Sequence, residues 1–147
     1  MSAQEIEADF PNLYQARYQI TSEATTDYNC FAWAANDTSA WWSPLPISGY
    51  YWPQDLPRSL DTNTFVALYA QNGFVPCESG EPEPGTEKIA LYADSNGNIT
   101  HAARSTSGAA WSSKLGVMED IEHGTLSALE GHDYGRVVRF LKRTRLS

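Results

Sequence analysis

The order of apolar patterns along the chain predicts an α+β fold. Residues 30–35 form a compact apolar run and residues 62–72 an amphipathic one, and both favour helices. Apolar segments of strand length follow in the second half and are separated by short polar turns. Helices that precede a run of strands pack on an antiparallel β meander. The 147 residues predict a single domain, 1–147, with a core of its own.

The first helix is predicted over residues 30–35. A polar segment precedes it, and either Asp27 or Asn29 supplies the N-cap, because both side chains carry an oxygen that accepts a backbone N–H at a helix start. Cys30 then lies in the first turn and Trp33 on the buried side of the helix.

Residues 39–61 are predicted to be an irregular surface loop, because aromatic side chains alternate there with prolines. The next helix spans residues 62–72, where Phe65, Leu68 and Tyr69 share one face and Gly73 ends the helix.

The second half of the chain is predicted to consist of strands. An exposed acidic loop, residues 78–85, separates the first of them from the rest. The connection 106–108 suits a three-residue hairpin that pairs Ser105 with Ala109. The predicted strands cover residues 74–77, 88–93, 99–105, 109–115 and 136–141.

The charge excludes some classes of partner. A net charge of −8 and a pI of about 4.7 disfavour nucleic acid and anionic membranes. No basic and apolar leader and no apolar run of about 20 residues is present, so we expect a cytoplasmic protein without a membrane span. The alternative is export by a route that needs no N-terminal signal. Two cysteines in such a chain are expected to be free thiols. Composition indicates no oligomeric state.

Cys30 is the candidate nucleophile. A thiol in the first turn of a helix lies near unpaired backbone N–H groups, which favour the reactive thiolate. The alternative is a packed structural cysteine, since a free thiol among Phe31, Ala32 and Trp33 also behaves as a small buried apolar group.

His101 is the candidate base, because an imidazole with a pKa near 6.5 can take the thiol proton. The predicted hairpin register places Ser113 across from His101, where its hydroxyl accepts the ring N–H. A slip by one residue would place Lys114 there instead. Asp120 and His123 are further candidates for this orienting role.

The order of these residues resembles that of papain-like cysteine peptidases and amidases, most of all the NlpC/P60 and CHAP-type domains. The resemblance implies a papain-like core with Cys30 as nucleophile, His101 as base and Ser113 in the third position. The motif around Cys30 differs from the Asp-Cys-Ser-Gly of NlpC/P60 proteins. The strings at residues 28–35, 101–104, 111–116 and 120–123 are also similar to a bacterial domain family without an assigned activity.

The leading hypothesis is a thiol hydrolase or transferase that acts on an amide bond of a peptide or protein. The backbone N–H of Cys30 and the Asn29 side chain would stabilise an oxyanion. Trp42 and Trp52 would line the cleft, and Lys114 would attract an acidic substrate. The alternative is a non-catalytic protein-binding or accessory module, of the immunity-protein type, in which Cys30 and His101 are packed structural residues.

No metal or cofactor is predicted. The cysteines and histidines lack the close spacing of metal ligands, and the scattered glycines form no phosphate-binding loop. Cys77 is expected to be a core thiol, and His123 and His132 to be surface residues in a polar segment.

Overall fold

The computed structural model describes residues 6–8, 10–14, 18–106, 110–115, 119–131 and 133–144. The fold is α+β, with helices and loops packed on an antiparallel sheet. Among the described residues, no helix has both the length and the apolar character needed to cross a membrane.

Seven strands form the main sheet in the order β1-β8-β7-β6-β5-β9-β4, and every neighbouring pair is antiparallel. Two further strands, β2 and β3, pair parallel to one another. In chain order the strands are β1 (Tyr18–Ser22), β2 (Trp41–Trp42), β3 (Tyr50–Tyr51), β4 (Val75–Cys77), β5 (Thr86–Ala93), β6 (Ile99–Ser105), β7 (Trp111–Lys114), β8 (Asp120–His123) and β9 (Arg136–Thr144).

Two α-helices lie on one face of the sheet, α1 (Cys30–Ala34) and α2 (Thr62–Ala70). Each begins at a side-chain cap, since Asn29 accepts from the N–H of Ala32 and Asp61 from that of Thr64. Short 3₁₀ turns cover Pro11–Tyr14 and Leu126–Leu129.

The sheet is buried on both faces, as β5 shows by alternation. Ile89 and Leu91 point to one side, and Ala90 and Tyr92 to the other. The cluster on the first side, here called the helix-side core, consists of Cys30, Phe31, Ala32, Ala34, Trp42, Trp52, Phe65, Leu68, Tyr69, Phe74, Ile89, Leu91, Ala93, Ile99, Ala102 and Leu141. The opposite cluster, the far-side core, consists of Ile6, Phe10, Leu13, Ala90, Tyr92, Ala103, Trp111, Leu115, Ile121, Ala128 and Leu129.

The α+β class is confirmed, as are both helices and the strand at residues 99–105. Of the two candidate caps of α1, Asn29 is the one observed, and the cap Asp61 of α2 was not predicted. The predicted hairpin register is wrong, because Ser105 pairs with Trp111 rather than with Ala109. The edge strand β1 and the strand β8 were not predicted. They are short and pair with one another, so local sequence carries little signal for either.

Candidate functional site

Cys30 lies in the helix-side core at the start of α1. The Asn29 side chain starts the helix there, and the five-residue helix packs against β6 and β7. Cys30 is only 6% exposed. Its position in the first turn is as predicted, but solvent and large molecules have little access to its sulfur.

Burial raises the pKa of the Cys30 thiol to about 12, although the backbone N–H of Ala102 and the charge of Lys114 act to lower it. The helix start therefore does not produce a thiolate at neutral pH, because desolvation outweighs the nearby donors. In this environment Cys30 is a protonated, packed thiol.

His101 lies on the other side of the sheet, within the far-side core. Its ring stacks on Tyr134 with centroids 4.1 Å apart and meets Tyr92 edge-on at 5.3 Å. The next residue of β6, Ala102, belongs to the helix-side core and lies beside the Cys30 sulfur. Successive side chains of a strand point to opposite faces, so the structure does not bring Cys30 and His101 together.

A buried chain of polar side chains joins His101 to two neighbouring strands. His101 Nε2 lies 3.0 Å from Ser113 Oγ, which lies 2.8 Å from His123 Nε2. His123 Nδ1 lies 2.9 Å from the carbonyl oxygen of Thr125. We call this set of three side chains, His101, Ser113 and His123, the far-side relay.

The contact with Thr125 assigns the protons of the far-side relay. A carbonyl oxygen only accepts, so His123 carries its proton on Nδ1 and accepts at Nε2. The Ser113 hydroxyl then donates to His123 and accepts from the Nε2–H of His101. His101 Nδ1 is left as a buried acceptor without a hydrogen-bond partner among the described residues.

Both imidazoles of the relay are neutral near pH 7. Burial lowers the pKa of His101 well below its ordinary value, with a smaller contribution from His123. Burial also lowers the pKa of His123 to about 4. Two neutral imidazoles sealed in an apolar core orient one another, but they have no access to a substrate.

The structure brings His101 and Ser113 into the expected contact by a different register. The observed register is shifted by two residues from the predicted one, and a shift by an even number keeps a side chain on the same face. The placement of His123 on the surface is wrong, because its side chain is 1% exposed and bonded to Ser113. The contact of His123 with Ser113 agrees with the alternative prediction, in which His123 helps to orient His101.

The Asn29 side chain is engaged with backbone groups of α1 and β2. Its Oδ1 accepts from the N–H groups of Ala32 and Trp42, and one N–H of its Nδ2 donates to the Trp42 carbonyl at 2.7 Å. These contacts give Asn29 a structural role, and its oxyanion role stays a prediction. The side chain ties the start of α1 to β2.

The predicted cleft residues are interior residues. Trp42 packs on Tyr69, and Trp52 packs on Phe65, so both tryptophans belong to the helix-side core rather than to an open wall. Lys114 has no exposed surface, and its ammonium donates to the carbonyl of Thr25 at 2.9 Å. The two tryptophans were expected on the wall of a cleft, but their apolar rings pack in the core and are buried there. Lys114 is buried as well and does not face a substrate.

The remaining candidates are not assembled into a site. Cys77 lies on the edge strand β4, half-buried, with its sulfur near the carbonyl of Ser79. His132 lies outside the described residues. Within the part of the chain that the structure describes, no three His, Cys, Asp or Glu side chains are grouped to hold a metal ion.

The molecular surface has two further features, a groove beside α1 and an apolar patch within the predicted loop 39–61. One is a polar groove of about 490 Å³ beside α1, where Trp33 lies half-buried rather than in the core. Trp33 Nε1 donates to Ser112 Oγ, and the Arg104 guanidinium lies 4.0 Å from the indole centroid. The prediction that Trp33 lies in the core was wrong. The apolar residues of so short a helix do not define which of its sides faces the sheet.

The other feature is an apolar surface formed by residues 41–51, here called the aromatic surface. Leu45, Ile47, Tyr50 and Tyr51 are exposed on it. A groove of about 310 Å³ lies along its edge, between Asp27 and Tyr50.

A comparison with protein families matches residues 19–142 to the model of a domain of unknown function, DUF7689. This match covers most of the chain. No curated protein and no solved structure matches the sequence.

Proposed function

We propose that this chain, which belongs to the DUF7689 family, is a non-catalytic protein-binding module that binds a basic partner through its aromatic surface. The observation that carries the proposal is the separation of Cys30 and His101 by the central sheet, with both side chains buried. The papain-like thiol hydrolase expected from the sequence requires these two groups in contact, so their placement favours the packed, structural alternative.

The aromatic surface is the part of the molecule best suited to bind another protein. Leu45 is 54% exposed and Ile47 49%, and Tyr50 and Tyr51 extend the same segment. Four of the eight exposed large apolar side chains in the described part of the chain therefore fall within residues 41–51. Apolar side chains concentrated in one segment are typical of an interaction site, whereas scattered ones are not.

The aromatic surface is held in place by the core beneath it. Trp41 stacks on Tyr50, and Tyr51 packs against the buried Trp42. Arg58 donates to the carbonyl of Pro44. A surface already ordered in the free protein loses less entropy on binding, which favours affinity.

The charge of the chain segment that contains the aromatic surface favours a basic partner. Residues 22–61 contain one basic side chain, Arg58, and five acidic ones. Opposite charge on a partner would speed its association and exclude acidic competitors. The acidic side chains are Glu23, Asp27, Asp37, Asp55 and Asp61.

A selection of displayed peptides tests the binding function. A random peptide library selected on the folded protein should yield sequences rich in Lys and Arg, and Leu45→Ser/Ile47→Ser should weaken their binding about tenfold or more. Val75→Ser/Val138→Ser, which alters equally exposed side chains outside the aromatic surface, should leave binding unchanged. Acidic selected peptides, or equal losses in the two double variants, would contradict the proposal.

Thiol alkylation tests the non-catalytic part of the proposal. In a Cys77→Ser background, Cys30 should react with iodoacetamide at neutral pH only after unfolding, because its pKa is raised to about 12. The same protein in denaturant provides the control for full reactivity. Rapid alkylation of Cys30 in the folded protein would restore the hydrolase hypothesis.

A further inference from the structure

One carboxylate that lines the polar groove beside α1 has a buried oxygen that no donor among the described residues reaches. Asp120 begins β8 and is 2% exposed. Its Oδ2 accepts from the Tyr28 hydroxyl at 2.6 Å, whereas Oδ1 has no hydrogen-bond partner among the described residues. A buried acceptor left unpaired is unfavourable, so this oxygen favours a ligand that brings a donor.

Asp120 is one of the residues that line the groove, so a ligand held there lies beside its carboxylate. The groove holds about 490 Å³, which is ample for a small organic group. Ser22 lies directly across from Asp120 in the β1–β8 register and lines the same groove, and Ser112 of β7 adds a second hydroxyl. These hydroxyls offer further acceptors beside the carboxylate.

The neighbouring charges favour a cationic donor. Three carboxylates line the groove, those of Glu87, Asp120 and Glu122, against one guanidinium, that of Arg104. Glu87 is paired with Arg143 of β9, which leaves Asp120 and Glu122 as the negative groups that a ligand would meet. Arg104 donates to the carbonyl of Trp33 and to Asn36 Oδ1, which holds it at the α1 side of the groove. A donor that carries positive charge binds a carboxylate roughly twice as strongly as a neutral donor.

The Lys114 ammonium partly offsets the negative charge of Asp120 but does not donate a hydrogen bond to its Oδ1. It faces Asp120 across the β7–β8 register, and the two side chains attract one another. Its ammonium donates to the Thr25 carbonyl and lies 5.4 Å from the centroid of the Tyr28 ring. Despite this neighbour, Asp120 Oδ1 receives no hydrogen bond from the part of the chain that the structure describes.

We infer that this groove is a binding site for a primary ammonium group, which donates to Asp120 Oδ1. The group is either that of a small alkylamine or that at the end of a lysine side chain, and both present the same compact charge. The residues that line the site belong to α1 and to β1, β5, β6, β7 and β8, or follow these elements directly. The site does not depend on the aromatic surface or on the proposed protein-binding function.

A titration followed by NMR tests the site. Butylammonium chloride is added to the protein at neutral pH, and the indole N–H resonance of Trp33, assigned with Trp33→Phe, reports binding in the groove. We expect this resonance to shift with butylammonium and not with 1-butanol, which has a similar shape but no charge. Equal shifts with both ligands, or none with butylammonium, would overturn the inference.

Variants locate the bound ammonium. Asp120→Asn should weaken butylammonium binding about tenfold or more, because it removes the charge that faces the ligand. Glu78→Gln, which removes the same charge from an exposed residue outside the groove, should not change it. Circular dichroism shows whether Asp120→Asn is folded, and the comparison with 1-butanol on the unaltered protein decides the question if it is not.

A third ligand distinguishes the two sources of the ammonium. Tighter binding of N-acetyl-lysine amide than of butylammonium would identify a lysine side chain of a protein as the natural ligand. Tighter binding of butylammonium would identify a free small amine. Either result supports the site, and failure of the peptide selection on the aromatic surface would not affect it.

Discussion

At the scale of single residues, burial determines the chemistry of both candidate groups. Cys30 has the helix-start position that lowers a thiol pKa, yet desolvation raises that pKa to about 12. His101 and His123 are kept neutral by the same effect. A residue type at a favourable local position is therefore a weak predictor of reactivity when the side chain is removed from water.

The far-side relay should make stability depend on pH. Burial lowers the folded-state pKa of His123 from 6.5 to about 4, so between these values the unfolded chain takes up a proton that the folded chain does not. The contribution of His123 to the free energy of unfolding is fully present above pH 6.5. It is lost as the pH decreases toward 4, which lowers the free energy of unfolding by roughly 3 kcal/mol for His123 alone. His101 shifts in the same direction and adds to the loss.

Urea unfolding measured from neutral pH down to about pH 4 checks this dependence. His123→Gln should flatten the curve across this window, because it removes a group that titrates. An unfolding free energy that stays constant from 6.5 to about 4 would show that neither imidazole is held neutral in the folded protein.

At the scale of elements, α1 depends on one side chain. The helix has only five residues, too few to be stable by itself. Asn29 caps it and binds both backbone groups of Trp42, which joins the helix to β2. By contrast α2 is longer, and its cap Asp61 is exposed.

Substitution of the two caps should therefore have unequal costs. Asn29→Ala loses the cap and leaves buried backbone groups of Trp42 unpaired, so we expect a loss of roughly 3 kcal/mol. Asp61→Ala loses an exposed cap only, and we expect a clearly smaller loss in the free energy of unfolding. Urea unfolding of both variants measures the difference, and equal losses would mean that Asn29 has no role beyond capping.

At the scale of the whole molecule, the segment before β9 passes close over the end of β5. Gly135 has a φ of +76°, and a Cβ added to it would lie 1.9 Å from the carbonyl oxygen of Ala93. Gly85 has a similar φ of +69°, but a Cβ there would meet nothing within 4 Å. Substitutions at these two glycines therefore distinguish the cost of a left-handed backbone from the cost of a steric contact.

Gly135→Ala should be far more destabilising than Gly85→Ala. Both variants incur the cost of a left-handed backbone, about 1 kcal/mol. Gly135→Ala also forces the chain away from β5, for a total on the order of 3–5 kcal/mol. Thermal unfolding of the two variants checks the difference, and similar midpoints would show that the chain does not approach β5 this closely.

Much of the fold could be predicted because its signals are local. The Asn29 cap, the start of α1 at Cys30 and the limits of the strand at residues 99–105 depend on neighbours a few positions away. The contact of Ser113 with His101 was predicted as well, since the side chains of a strand alternate and an even register error preserves the face.

The sequence by itself determined the α+β class, the main elements and the order of Cys30, His101 and Ser113 along the chain. Only the tertiary structure decided which face of β6 receives α1. The residue of β6 beside Cys30 is Ala102, and the shift of one position puts His101 in the opposite core. The packing of a helix on a sheet is set by the sum of many distant contacts, so no local pattern carries that choice.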